Sequence, residues 1–200
     1  MYDSQDVMMK KFLALMFACT ALVPLSAEAD STYVFFRHGE KPDNASGQLT
    51  CKGLNRALKL PAVLLSRYGN PDALYASAPK EDKTGSSLRP LSTLIPLAVQ
   101  VSRPVILRFH ADKPRKLVSD LLNEKRVPLT MIAWEHKNLV IAARTLVEKT
   151  GGDAGLVPDW PSADFDSIYV VKIDDRQHFK SFTQDAEGLN DVSSQCPDQS

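Results

Sequence analysis

A regular alternation of short strand-like runs with longer helical patterns constrains the fold more than any other feature of the sequence. The strand-like runs are rich in β-branched and aromatic residues, whereas the helical segments repeat apolar residues every three to four positions. The predicted strands are Tyr33–Phe36, Ala73–Ala76, Val105–Phe109, Leu129–Trp134 and, last in the chain, Ser167–Ile173. The predicted helices are Gly53–Tyr68, Pro90–Val101, Arg115–Leu122 and Asn138–Lys149.

This alternation predicts an α/β fold. Parallel strands need crossover connections, which are right-handed and place helices on both faces of the sheet. We therefore expect a three-layer sandwich around a mainly parallel central sheet. The 200 residues, 44% of them hydrophobic, can bury the core of one domain, which we assign to residues 30–200.

The first 29 residues have the pattern of a cleaved signal peptide. Lys10 and Lys11 precede the apolar run FLALMFACTALVPL, and Ser26-Ala27-Glu28-Ala29 supplies the small residues of a cleavage site. The apolar run is too short to remain as a transmembrane helix, so we expect no stable membrane insertion. These features predict a periplasmic or secreted protein that begins at Asp30.

The charge balance argues against nucleic acid as a partner. Lys and Arg together number 24, as do Asp and Glu, and no long run of one sign occurs. Neither nucleic acid nor an anionic membrane would be attracted by such a chain. Any anion site is therefore expected to be small and local.

Two cysteines, Cys51 and Cys196, remain once the signal peptide is removed. An even count in an oxidising compartment favours a disulfide between them. Two unpaired thiols that lie too far apart to bridge are the alternative, because a sequence contains no distances. Both interpretations stay open at this point.

Ligands of open α/β sheets bind at the carboxyl ends of the strands. The loops after the first four predicted strands contain Arg37-His38-Gly39-Glu40-Lys41, then Ser77-Ala78-Pro79 and Arg89, then His110 and Asp112, then Glu135-His136-Lys137. The two arginines would repel a metal ion, but their planar forks suit phosphate oxygens. Because a neutral histidine can attack phosphorus, this mixture predicts a phosphoryl-transfer site without a metal.

Several motifs resemble the histidine phosphatase superfamily, which has the phosphoglycerate-mutase-like fold. The stretch YVFFRHGEKP resembles its RHG signature at the end of the first strand. Three further matches follow in order over roughly residues 32–173. They are Gln48-Leu49-Thr50 followed by Gly53, Arg56 and Ala57, the R-x-x-x-T pattern of Arg89–Thr93, and the strand Thr130–Trp134 leading into Glu135-His136.

The resemblance implies a role for each matching residue. His38 would be the nucleophile that becomes phosphohistidine, and Arg37, Arg89 and His136 would hold the phosphate oxygens. Gly39 would let the backbone turn close to the phosphate. Water would then release phosphate, and no cofactor would be needed. Together with the signal-peptide pattern, the resemblance thus predicts an exported, metal-independent phosphatase that hydrolyses phosphomonoesters.

The proton donor to the leaving group stays open between two carboxylates. The mutase-like branch points to Asp112, which we favour, whereas the acid position of the phytase-like branch is occupied by Lys137. Glu135 is the rival, although a bend is needed to bring it and His136 to one side. Glu81 and Asp82 rank behind both. A phosphohistidine or acyl-phosphate substrate would need no acid.

The segment His110–Pro128 has room for one helix only, so we expect an open pocket. Such a pocket suits phosphoproteins or phosphorylated envelope glycans, and small phosphomonoesters are equally compatible. The alternative function is a non-catalytic phosphate-binding or partner-binding domain of the same fold. Glu40 is either solvated or orients the pocket, and we expect His110 and His178 to be surface or structural residues.

Overall fold

The computed structural model describes residues 30–44, 46–80, 87–124 and 126–197. The predicted signal peptide and the candidate acids Glu81 and Asp82 lie outside the described residues. Strands and helices alternate along the described chain. They are β1 (Ser31–Arg37), α1 (Cys51–Tyr68), β2 (Ala73–Ala76), α2 (Arg89–Val101), β3 (Val105–Ile106), α3 (Pro114–Asn123), β4 (Leu129–Trp134), α4 (His136–Lys149), β5 (Ser167–Ile173) and β6 (Phe179–Ala186).

The six strands form one sheet in the order β3-β2-β4-β1-β5-β6. The pairs β1–β4, β2–β4 and β2–β3 are parallel, whereas β5 is antiparallel to β1 and β6 is antiparallel to β5. The predicted α/β class and mainly parallel sheet are confirmed.

Two strand predictions are wrong. Ser167–Ile173 is not the last strand, because β6 follows it at the edge of the sheet. Since none of the side chains of β6 is fully buried, its sequence lacks the apolar pattern of an interior strand. The third strand is also shorter than expected and ends at Ile106, although an isolated parallel bridge joins Ala78 and His110 beyond it.

The sheet is covered on both faces, because successive side chains of a strand point to opposite sides. Val34 and Phe36 of β1 pack in one apolar cluster with residues of α1 and α2. Tyr33 and Phe35 of the same strand pack in a second cluster with residues of α3 and α4. This arrangement confirms the predicted three-layer sandwich. No helix among the described residues is long and apolar enough to cross a membrane.

Cys51 and Cys196 form a disulfide, with their Cα atoms 4.4 Å apart. The bond joins the first residue of α1 to the C-terminal part of the chain, 145 residues later. Nearby, the side-chain amide of Asn55 donates to the carbonyl oxygens of Ser193 (2.8 Å) and Gln195 (2.6 Å). The structure therefore confirms the disulfide and excludes two unpaired thiols.

Candidate active site

The carboxyl ends of neighbouring strands bring loops that are distant in sequence to one edge of the sheet. The register places Ala133 of β4 beside both Phe36 of β1 and Ala76 of β2. The chain therefore leaves these three strands at the same level. The loop after β1 is joined to β4 by a hydrogen bond from the His38 amide to the Trp134 carbonyl (3.1 Å).

A cavity of about 290 Å³ lies at this edge. Four of the predicted site residues line it, namely His38, Arg89, Asp112 and Glu135. Its wall also includes Ser77, Lys80, Ser87, His110 and Asn138. Since the lining mixes cationic, anionic and hydroxyl side chains, the cavity is suited to a polar ligand.

His38 is buried and held in one tautomer. Its Nδ1 lies 2.8 Å from the carbonyl oxygen of Gly39. A carbonyl oxygen only accepts, so Nδ1 has the proton and the lone pair is on Nε2. Burial, with a smaller contribution from Arg37 and Arg89, lowers the pKa of His38 to about 4. The imidazole is therefore neutral and nucleophilic at neutral pH.

Arg37 is fixed by the loop that precedes β5. Its Nη1 donates to the carbonyl oxygens of Ser162 (2.8 Å) and Asp164 (2.7 Å), and its guanidinium lies 3.7 Å from the centre of the Phe165 ring. Burial lowers the pKa of Arg37 to about 10, so it stays charged at neutral pH. These contacts orient the cation beside the neutral His38.

The residues predicted to bind phosphate oxygens have buried nitrogen atoms that lack a hydrogen-bond partner. They are Nε of Arg37, Nε of Arg89 and both ring nitrogens of His136. His136 Nδ1 lies 2.8 Å from a Glu135 oxygen, an ion-pair distance, but off the direction of a hydrogen bond. Because buried polar groups in folded proteins are nearly always paired, these nitrogens indicate a site for an oxyanion.

Glu135 and Asp112 are both held as ionised carboxylates. Burial alone would raise the pKa of Glu135, but hydrogen bonds from the Asn138 and Lys137 amides outweigh burial and lower it. Through these bonds Glu135 caps the N-terminus of α4. Lys113, 3.3 Å from Asp112, lowers the pKa of that carboxyl. Neither residue is therefore a ready proton donor at neutral pH.

Solved structures with the same architecture include a protein histidine phosphatase, SixA, in complex with tungstate. Its identity to this chain is 14% and its TM-score 0.55, with 78% of this chain and 97% of that one covered. An Escherichia coli protein assigned as an α-ribazole-5′-phosphate phosphatase has 12% identity and a TM-score of 0.56, covering 84% and 99%. A phosphoglycerate mutase from Plasmodium falciparum has 12% identity and a TM-score of 0.51, covering 86% and 98%.

The fold is that of the histidine phosphatase superfamily. No protein-family model and no curated protein matches the chain. At these levels of identity, the comparison establishes the architecture, and the chemistry has to be argued from the residues of this chain.

The predicted site residues fall into two groups, according to whether they line the cavity. His38, Arg89, Asp112 and Glu135 line the cavity, whereas Arg37 and His136 are not among the lining residues. Arg37 nevertheless interacts electrostatically with both His38 and His136. The catalytic roles assigned to these residues stay predictions. Among the described residues, no group of three or more His, Cys, Asp or Glu side chains is placed to hold a metal ion.

The prediction of His110 as a surface or structural residue is incomplete. It is exposed, as a surface residue would be, but it also lines the cavity. Its Nδ1 lies 3.3 Å from the Ala78 carbonyl oxygen. The signal that could have identified it was its place in the same loop as Asp112. His178, by contrast, is exposed and interacts with Asp174, as a surface residue.

Gly39 is required for a reason that the sequence did not suggest. A Cβ atom on Gly39 would lie 2.8 Å from the carbonyl oxygen of Gly53 and 2.9 Å from its Cα. The glycine therefore allows the loop to pack against α1. Its predicted role beside phosphate stays a prediction. The Gly39 amide donates to the buried Thr93 hydroxyl (2.9 Å), which donates to the Arg89 carbonyl (2.9 Å). Thr93 thus ties the loop after β1 to the start of α2. We call residues 38–41 of this loop the His38 loop.

Proposed function

We propose that the protein is a phosphatase that hydrolyses phosphomonoesters through a covalent intermediate on His38. The observation that supports this proposal best is the state of His38: a neutral imidazole, with its lone pair on Nε2, at a cavity that Arg89 also lines. The unpartnered nitrogens of Arg37, Arg89 and His136 are suited to an oxyanion. The tungstate complex of SixA adds support, since tungstate is a tetrahedral oxyanion like phosphate.

The proposed reaction has two displacements at phosphorus. Nε2 of His38 first attacks phosphorus, the bond to the leaving oxygen breaks, and the leaving group departs with the electron pair. Water then attacks the phosphohistidine, the P–N bond breaks, and inorganic phosphate is released. Overall, water supplies a hydroxyl to phosphorus and a proton to the leaving group. Arg37, Arg89 and His136 stabilise the charge on the phosphoryl oxygens in both steps.

The state of the two carboxylates suggests which substrates react fastest. Because Asp112 and Glu135 are ionised, neither protonates a poor leaving group readily. We therefore propose substrates whose leaving group departs without a proton from the enzyme, such as an aryl oxide, an acyl oxygen or a phosphorylated imidazole whose other ring nitrogen is already protonated and which leaves as neutral imidazole. A phosphorylated histidine in a protein belongs to this class, and small acyl or aryl phosphates share its chemistry.

We propose that this activity is exercised in the periplasm or outside the cell. The support is the pattern of residues 1–29 together with the Cys51–Cys196 disulfide. Structural disulfides persist in oxidising compartments and are rare in the cytosol.

The decisive experiment is hydrolysis of p-nitrophenyl phosphate by purified protein in the presence of EDTA. We expect turnover that EDTA leaves unchanged, and a loss of at least ~10⁴-fold in kcat for His38→Ala because the covalent route is removed. His178→Ala is the matched control, since His178 is exposed and does not line the cavity. Turnover that survives in His38→Ala contradicts the proposal. Tungstate binding without turnover would instead support a binding domain.

Leaving-group dependence tests the substrate class. We expect kcat/KM to fall steeply from p-nitrophenyl phosphate to phenyl phosphate and to an alkyl phosphate, because no protonated acid assists departure. The measurement is a plot of log kcat/KM against the pKa of the leaving group. A flat plot would show that a proton is delivered and would return Asp112 or Glu135 to the role of acid.

A further inference from the structure

Arg56 is a completely buried cation that does not line the cavity. Its guanidinium contacts three carboxyl groups: Nη2 lies 2.9 Å from Glu40, and Nη1 lies 2.7 Å from Glu187 and 3.3 Å from Asp166. Its Nη2 also lies 3.3 Å from the side-chain oxygen of Asn190. Nε lies 3.1 Å from a Glu40 oxygen, so all three guanidinium nitrogens have partners.

The contact with Glu40 connects Arg56 to the candidate nucleophile. Glu40 lies two residues after His38 in the same loop, and both Nε and Nη2 of Arg56 donate to its carboxylate. A two-point contact of this kind fixes orientation as well as distance. Of the two interpretations of Glu40, solvated or orienting the pocket, its burial and pairing favour the second.

The other contacts connect Arg56 to residues 187–196, which we call the C-terminal strap. Glu187 begins the strap, and Asp166 accepts hydrogen bonds from the amides of Gly188 (3.2 Å) and Leu189 (2.8 Å). The far end of the strap is fixed by Cys196, which is covalently joined to the first residue of α1. The strap is therefore held against α1 at both ends.

Stability alone is a weak explanation for such a cluster. Removing charges from water costs free energy that their attraction barely returns, and apolar replacements of similar shape are often as stable. Such a network does, however, fix the relative position of the segments that it joins. Here it joins the His38 loop, α1, the residue before β5 and the strap.

We propose that Arg56 is a positioning residue for His38: it holds the His38 loop through Glu40, and the C-terminal strap holds Arg56 in place. This inference rests on the proposed function only for its kinetic readout. Its structural readout is the tautomer of His38, which can be observed whether or not the protein turns over a substrate.

The first test replaces the guanidinium. For Arg56→Met we expect kcat for p-nitrophenyl phosphate to fall ~10- to 100-fold with a smaller change in KM, because a displaced nucleophile slows the chemical step. Arg56→Lys retains the positive charge but lacks the planar guanidinium fork. Its kcat should therefore lie between that of the wild type and that of Arg56→Met. Arg67→Met is the matched control: Arg67 is on the same helix and donates to the Ala186 carbonyl, but it does not contact the His38 loop.

The second test releases the strap. The double variant Cys51→Ser/Cys196→Ser should lower kcat, as Arg56→Met does. Adding Arg56→Met to it should cost less than the product of the separate effects, because both changes act through one network. If Arg56→Met does not fold, Glu40→Gln weakens the same two-point contact without removing the buried cation.

Nitrogen NMR of the His38 ring separates this inference from the proposed function. The wild-type protein should show a proton on Nδ1, and Arg56→Met a mixture of tautomers. If the wild type has no turnover, the proposed function fails while the tautomer still decides the inference. An unchanged tautomer and unchanged kcat in folded Arg56→Met would overturn it, even if the melting temperature falls. Independent, multiplicative effects of Arg56 and the disulfide would overturn the role of the strap.

Discussion

Burial has opposite consequences for two ionisable side chains, His38 and Glu187. Removing a group from water disfavours its charged form. Burial therefore lowers the pKa of the His38 imidazole to about 4 and raises the pKa of the Glu187 carboxyl to about 8. For Glu187, the charge of Arg56 opposes this effect without cancelling it. The first shift keeps the proposed nucleophile neutral, and the second makes the network around Arg56 sensitive to pH.

Glu187 should make the free energy of unfolding depend on pH. Its pKa is raised in the folded state from an ordinary value of 4.5 to about 8, so the folded protein binds more protons in this window. The contribution of Glu187 to the free energy of unfolding is fully present below pH 4.5 and is lost as the pH rises through about 8. Urea unfolding across this range should show a smaller decrease for Glu187→Gln than for the wild type. A Glu148→Gln control, exposed on α4, should follow the wild type, and parallel curves for all three would contradict the assignment.

The interface between α1 and the His38 loop depends on two glycines. Thr50 caps α1 through its hydroxyl, which accepts from the Gly53 amide (3.1 Å), and the Thr50 amide donates to the Glu40 carbonyl (2.8 Å). The helix therefore begins where the loop contacts it. With Gly39 and Gly53 facing each other, no Cβ atom separates the two backbones. The position of His38 thus depends on backbone packing as well as on side chains.

Gly53→Ala should reverse the usual effect of this substitution in a helix. Alanine ordinarily stabilises a helix interior by ~1 kcal/mol relative to glycine. Here the new Cβ would lie 2.5 Å from the Glu40 carbonyl oxygen, so the backbone must move. We expect the free energy of unfolding to fall by ~1–3 kcal/mol, measured by urea denaturation. Ser66→Ala, exposed on the same helix, is the control, and a stabilised Gly53→Ala would show that the loop is not fixed against α1.

The Cys51–Cys196 disulfide links the N-terminal part of the fold to its C-terminal part. The bond spans 145 residues and connects the helix that supports the His38 loop to the strap that follows the edge strand. A cross-link over so long a stretch restricts the unfolded chain strongly. The C-terminal strap is therefore part of the folded unit, although most of its sequence is polar.

Removing the disulfide should destabilise the protein as a whole. For Cys51→Ser/Cys196→Ser we expect the free energy of unfolding to decrease by ~2–5 kcal/mol, because the unfolded state regains chain entropy. Urea denaturation of both proteins, monitored by tryptophan fluorescence, checks this value. A change below ~1 kcal/mol would mean that the hydrogen bonds from Asn55 and Arg56 suffice to hold the strap.

The sequence by itself determined the α/β class, the approximate bounds of the helices and the loops that contain His38, Arg89, Asp112 and Glu135. These features depend on local periodicity and on the rule that parallel strands end at one edge, so they can be inferred without coordinates. No helix end shifted by more than two residues. The start of α4 moved from Asn138 to His136 because Glu135 caps the helix.

Only the tertiary structure decided the charge state of His38, the purpose of Gly39, the network of Arg56 and the presence of β6. Desolvation and close backbone contact depend on which distant segments pack together, and no local pattern records them. Glu187 and Asp166 are ordinary acidic residues in the sequence. They become parts of the Arg56 network because the strap returns to α1, next to the loop that His38 begins.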